Sequence, residues 1–303
     1  MNDRVELSTE SHSCESSRQA QEPLFGSGTH ATHWLLLEYD TPWPARALKQ
    51  ADLSEPVKQH LMAFKTQVEG ARVQFFRGRE GVQANLRLFL ARADQLDRPL
   101  QKIELTSYEQ LLDFDLAALF EGEVPRAQRY EPILAICTKG KRDLCCAKYG
   151  TAAFHAMAAI DPEHVFQTTH LGGKRFAANA LWLPYGVNYG RLEPEQAGDL
   201  LEMMAKNQIS LPNYRGHTTM PAPAQAADHY LRQHGNWLDV ADLRLEAIDG
   251  TEPHWQVGFW VEPAGESKTV DVTLEPEAFE VFLTSGDSER SATGHFHCQL
   301  TQE

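Results

Sequence analysis

Two stretches of this 303-residue chain carry the same order of elements, and that recurrence narrows the fold more than any other feature. HWLLLEY (33–39) is an apolar run of strand length. SEPVKQHLMAFKTQ (54–67) opens on a Ser cap and sets Val57, Leu61 and Phe64 at helical spacing. ARVQFFR (71–77), NLRLFLA (85–91) and QKIEL (101–105) read as strands, and SYEQLLDFDLAALF (107–120) reads as a helix. The order β-α-β-β-β-α then returns. Strand PILAIC (132–137), helix CAKYGTAAFHAMAAI (146–160) and strand HVFQTTH (164–170) come first. A hairpin of ALWLPYG (180–186) and VNYGRL (187–192) follows, then helix EPEQAGDLLEMMAKNQ (193–208). The pattern reads as two copies of one α/β fold without obvious sequence identity.

The flanks read differently. Residues 1–28 lack periodicity and read as a flexible tail. NYRGHTTMPAP (213–223) reads as a Pro/Gly linker, followed by a helix over 223–234. DLRLEAI (242–248), HWQVGFWVE (254–262), KTVDVTL (268–274) and HFHCQL (295–300) read as strands. The expected division is a tail over 1–28, an α/β domain over 29–125, a second over 126–210, and a helix plus strand-rich region over 211–303.

No apolar run approaches the ~18 residues of a membrane span, and the acidic N-terminus has no apolar signal core. Five cysteines is an odd number, unevenly spread, which argues against a disulfide framework and for a reducing, cytoplasmic setting. A formal net charge of −14 argues against nucleic-acid or anionic-membrane partners.

CTKGKRDLCCAKYG (137–150) stands out against this background, with three of the five cysteines. Lys139, Lys141, Arg142 and Lys148 surround them, with Asp143 the one acid. Parallel strands of a β-α-β unit deliver their ends to one sheet edge, which would let Cys137, Cys145, Cys146 and His170 converge. Thiolates with an imidazole suit a zinc or iron–sulfur centre. Cys146 at a helix N-terminus beside Lys148 suits a thiol-redox site, and the same terminus suits an anion. Buried, inert cysteines remain the plainest reading. The residues alone leave all four open.

CTKGKRDLCCAKYG and THLGGKRFAANALWLPYGVNYGRLEPEQ together closely resemble the sucrase/ferredoxin-like family. EPLFGSGTHATHWLLLEYDTPWPARAL (22–48) and YRGHTTMPAPAQAADHYLR (214–232) extend the resemblance over about residues 14–235. It implies a thioredoxin-like 2Fe–2S ferredoxin domain, preceded by a second, degenerate thioredoxin-like unit and followed by the strand-rich region. It also implies an electron carrier, rather than a catalyst, serving an unidentified redox partner protein. Such ferredoxins take a cysteine ending the first strand, a cysteine before A-x-x-G, and two ligands at i and i+4 in a Gly-containing loop. Carried over, these are Cys137, Cys146 and His170, with Gly172 and Gly173 lining the cluster. Where the family commonly has a second histidine, this chain has Lys174. Three outcomes follow: Cys145, His295, His297 or Cys298 completes the set; the cluster is weak or three-ligated; or the domain has lost its cluster. In the last case the alternative is a cluster-free domain that binds an anion or works as a thiol-redox site.

Overall fold

The computed structural model describes residues 12–78, 85–122 and 126–301. The chain begins within these residues with helix α1 (Ser13–Gln19). The flexible-tail expectation fails here: Ser13, Cys14, Ser16 and Ser17 are all buried, while residues 1–11 lie outside the described residues. Arg191 holds the segment by donating to the carbonyls of Ser17 and Glu22.

Strand β1 (His33–Glu38) buries five of its six residues. That is the pattern of an interior strand covered on both faces. Leu35 and Leu37 face one core with Leu61 and Phe64, and Trp34 and Leu36 face another. Helices α2 (Ala47–Gln50) and α3 (Glu55–Gln67) lead to β2 (Ala71–Arg77), parallel to β1. β3 (Leu86–Arg92) and β4 (Leu100–Leu105) add antiparallel strands on the other side of β1. The single helix expected over 107–120 is instead two 3-10 turns, Tyr108–Asp113 and Ala118–Phe120. Phe114 is extended between them, and the Asp115 carboxylate accepts from the backbone of Ala117 and Ala118. A short polar side chain that bonds the amides ahead of it starts a new turn rather than continuing the old one.

The second half begins with β5 (Gln128–Tyr130), which pairs back onto β4. β6 (Ile133–Cys137), helix α4 (Leu144–Ile160) and β7 (Val165–Thr168) then form a parallel β-α-β unit. β8 (Ala180–Leu183) and β9 (Val187–Tyr189) complete it in antiparallel pairs, and helix α5 (Ala197–Ala205) follows. Strand order is therefore β2-β1-β3-β4 in the first half and β7-β6-β8-β9 in the second, with matching directions. The topology repeats through four strands and the first helix. It departs at the closing helix, which the first half replaces with 3-10 turns. The ends of β2 and β7 pair antiparallel and join the halves into one ten-stranded sheet.

The segment read as a linker forms a further strand, β10 (Tyr214–His217), paired with β9 and buried throughout. Its Pro and Gly residues mark a bend rather than a tether: Gly216 adopts φ +145° where the register shifts. Helix α6 (Ala222–Gly235) packs Ala224, Ala227 and Leu231 on a second, antiparallel sheet. That sheet runs in the order β11 (Leu243–Thr251), β12 (His254–Val261), β13 (Glu266–Val281), β14 (Ser291–Leu300). The mixed α/β class with a strand-rich C-terminal region stands. No helix among the described residues is long and apolar enough to cross a membrane.

β10 also carries a titratable core group. His217 is buried, and its Nδ1 faces the Thr219 hydroxyl at 2.8 Å. Burial pulls its pKa down to about 4. An unfolded histidine keeps its ordinary value of about 6.5, so between these values the unfolded chain binds the extra proton. His217 thus contributes fully above about pH 6.5, and roughly 3 kcal/mol is lost as pH falls to 4. Urea denaturation at pH 7.5 and pH 4.5 should show that fall, and His217→Gln should flatten it. An equally steep loss in the variant would remove His217 as the cause.

Candidate metal centre

The pairing of β6 with β7 places Cys137 opposite Thr168, so the chain leaves both strands at the same edge. Cys137 is the last residue of β6 and is buried. After a short loop, Asp143 caps α4 by accepting from the Cys145 backbone N–H at 2.9 Å. Cys146 lies in the first turn of that helix, on the same face as Gly150 one turn on. A Cβ on Gly150 would lie 2.0 Å from the Cys137 carbonyl oxygen. Only glycine lets α4 lie this close to β6, and the close approach brings Cys146 beside Cys137.

His170 follows β7 by two residues and is half-buried. Its Nδ1 lies 3.8 Å from Cys137 Sγ and 3.8 Å from Cys146 Sγ. The three donor atoms all lie within 4.8 Å of one another. The loop beyond turns on two glycines in the left-handed region, Gly172 at φ +93° and Gly173 at φ +65°. This lets the chain turn sharply just after the histidine.

The two thiols are shifted in opposite directions. Cys137 is held well below the ordinary thiol range, first by its hydrogen bond with Cys146 and then by His170. Cys146, on the other side of that bond and buried, is pushed up. Two thiols, one of them of lowered pKa, with an imidazole form a soft donor set. A metal binding here would displace the thiol protons.

Other candidates lie elsewhere. Cys145 forms a disulfide with Cys14 from α1, closing a sequence separation of 131 residues at a Cα–Cα distance of 6.2 Å. Consecutive helical residues point roughly 100° apart, so adjacent cysteines serve different neighbours. This disulfide takes Cys145 out of the donor set and corrects the reading of the cysteines as lacking a disulfide framework. Lys174 donates through Nζ to the Thr284 hydroxyl at 2.5 Å, in the loop between β13 and β14. As an ammonium it offers donors only. His295 packs against Phe25 and Phe279, and His297 bonds Glu275 at 3.0 Å. Cys298 sits against the C-terminal core, where burial raises its pKa to about 12. None of these three joins the Cys137 group.

Two parts of the surround carried no sequence signal. The β13–β14 loop folds over the start of α4, where Asp143 accepts from the Ser285 backbone N–H at 3.0 Å and hydroxyl at 2.8 Å. Arg215 of β10 lies under the glycine loop: a Cβ on Gly173 would be 2.3 Å from its Nη2.

The sucrase/ferredoxin-like family model matches residues 24–216. No curated protein and no solved structure matches the chain. The matched segment runs from before β1 to within β10, holds Cys137, Cys146 and His170, and stops short of the C-terminal sheet. It spans more than half of the chain, which therefore belongs to the sucrase/ferredoxin-like family.

Proposed function

We propose that this chain is an electron-transfer protein whose redox centre is an iron–sulfur cluster held by Cys137, Cys146 and His170. The convergence of two buried cysteines and one imidazole carries the reading. Ferredoxin-like family membership supports it. When bound, a 2Fe–2S cluster supplies a one-electron couple, and imidazole in place of thiolate raises its potential. The chain's own part is to bury the thiolates, keep His170 at the half-open edge and fix the glycine loop. A redox partner protein would approach past His170 and the start of α4. There Leu144 is 49% exposed beside the exposed cations Lys141 and Arg142. On a chain of net charge −14, that cationic rim would favour an acidic partner.

One observation favours a second reading, a single metal ion. Donor separations of 3.8 Å from His170 to each sulfur match the edges of one tetrahedral site. At zinc-like bond lengths those edges are about 3.5–3.8 Å. Three protein donors with an open fourth position also describe the mononuclear sites that bind water or substrate.

Anaerobic purification followed by iron, sulfide and zinc analysis separates the two. Equal iron and sulfide with visible colour supports the cluster, and zinc without sulfide supports the single ion. Lys174→His sets an imidazole at i+4 from His170. Under the first reading it should raise iron and sulfide per chain by about twofold or more, given the affinity carried by one ligand or its neighbours. A colourless, metal-free protein in both forms would leave the anion or thiol-redox alternative.

A further inference from the structure

We propose that Arg215 is a positioning residue for the Cys137–Cys146–His170 centre: one buried guanidinium clamps the His170–Lys174 loop and supplies the fixed positive charge that balances the thiolates. The inference rests on the metal-centre reading but not on the identity of the metal.

Arg215 is 1% exposed. Its Nε donates to the Ser27 hydroxyl at 3.1 Å and its Nη2 to the Ser27 carbonyl. Its Nη1 donates to the Asn179 side-chain oxygen at 2.9 Å and to the Gly172 carbonyl at 3.4 Å. Every one of these acceptors is neutral. Among the described residues no carboxylate forms an ion pair with Arg215, whereas its neighbour Arg175 takes Glu22 at 2.8 Å. Burying an ion without a partner costs several kcal/mol, so a charge left this way needs a compensating one nearby.

Two short paths lead from Arg215 to the centre. Through Gly172 it reaches the loop that begins at His170. Through Asn179 it reaches both sides: the Asn179 amide donates to the Gly173 carbonyl at 2.9 Å, and the Asn179 carbonyl accepts from the Cys137 backbone N–H at 2.9 Å. Gly173 and Gly190 leave the space: a Cβ on Gly190 would lie 2.7 Å from Arg215 Cδ. Burial and then the neighbouring Arg175 pull the guanidinium pKa down to about 9, and Cys137, Cys146 and Glu22 act in the opposite direction. Glu22 is already paired with Arg175, so the cysteines, once a metal has taken their protons, are the negative charge left for this cation to answer.

Cobalt(II) alone is a sufficient probe, because its thiolate charge-transfer band reports binding at cysteine without requiring a cluster. Wild type, Arg215→Lys, Arg215→Gln and Ser27→Asp would be titrated anaerobically. Arg215→Gln should weaken cobalt binding at least tenfold. Arg215→Lys keeps the charge and loses the fork, and should recover most of that loss. Ser27→Asp keeps the arginine but sets a carboxylate against it. It should weaken binding about tenfold with an unchanged far-UV spectrum, which decides the matter if Arg215→Gln fails to fold. If the chain carries iron, losing the positive charge should disfavour the more negative, reduced cluster, and a tenfold change in that redox equilibrium is a midpoint lowered by about 59 mV for a one-electron couple. Equal losses in the Lys and Gln variants with no effect of Ser27→Asp would reduce Arg215 to a structural clamp and overturn the proposal. A wild type that takes no cobalt would overturn it as well. Iron- and sulfide-free protein that shows the cobalt pattern would remove the electron-carrier reading and leave this one standing.

Discussion

Cys146→Ser should strip the centre of metal, lowering affinity by at least about 100-fold, beyond the range found when only a ligand's supporting partner is lost. Cys137→Ser should do the same. Each removes one of two sulfurs from a three-donor group, and serine oxygen is a harder, weaker donor to the soft metals that such a site selects. The adjacent cysteine is the internal control. Replacing Cys14 and Cys145 together by serine should leave metal per chain within about twofold of wild type while lowering stability by about 2–5 kcal/mol. Loss of the disulfide frees a loop of 131 residues' separation in the unfolded chain, and chain entropy makes long loops count most. Metal analysis after gel filtration reads the first effect and urea denaturation the second. Metal retained in Cys146→Ser, or lost in the double variant, would contradict the assignment of roles to these neighbours.

Asp228→Ala should cost about 3–5 kcal/mol, the usual penalty for stranding the partner of a buried ion pair. Asp228 and Arg232 lie one turn apart on α6, both buried, with Nε to Oδ2 at 3.0 Å. Asp228 also accepts from the Tyr214 hydroxyl at 2.7 Å, and Arg232 donates to the carbonyls of Trp237 and Asp239 at 3.1 and 2.7 Å. The pair ties α6 to β10 and to the turn that follows the helix. Without Asp228 the guanidinium keeps its two carbonyls but loses its only carboxylate among the described residues. Asp228→Leu combined with Arg232→Met should recover much of the loss, because an apolar pair of similar volume avoids the desolvation cost. A single-variant cost below about 1 kcal/mol would place the pair with weakly coupled surface ions instead.

How much of this was legible depended on whether the signal was local. The apolar run 33–38, the periodic helix over 55–67 and the strand ending on Cys137 appear where their patterns put them, because burial on one or both faces leaves a trace in consecutive residues. The segment 107–120 misled because its apolar spacing was helical while Asp115 held competing backbone bonds. NYRGHTTMPAP misled for the opposite reason. Its Pro and Gly residues are turn formers, but Tyr214, Arg215 and His217 are buried by partners far away in sequence. The same distinction divides the site. Cys137, Cys146 and His170 follow from one β-α-β unit, whose geometry is local.

The sequence by itself determined that α/β unit and its recurrence, and it set Cys137, the adjacent pair Cys145 and Cys146, and His170 at the shared strand edge. Parallel pairing and helical periodicity put them there without reference to the rest of the chain. Only the tertiary structure decided which of two adjacent cysteines faces the centre, since that depends on the azimuth of α4 against β6, set by Gly150, and on Cys14 waiting on the other side. It also decided that Lys174 reaches Thr284 and that Arg215 lies under the glycine loop. Sequence separations of 110 and 43 residues divide those partners. No spacing rule spans such distances, because side-chain contacts between remote segments are fixed by how whole elements pack rather than by any residue's neighbours in the chain.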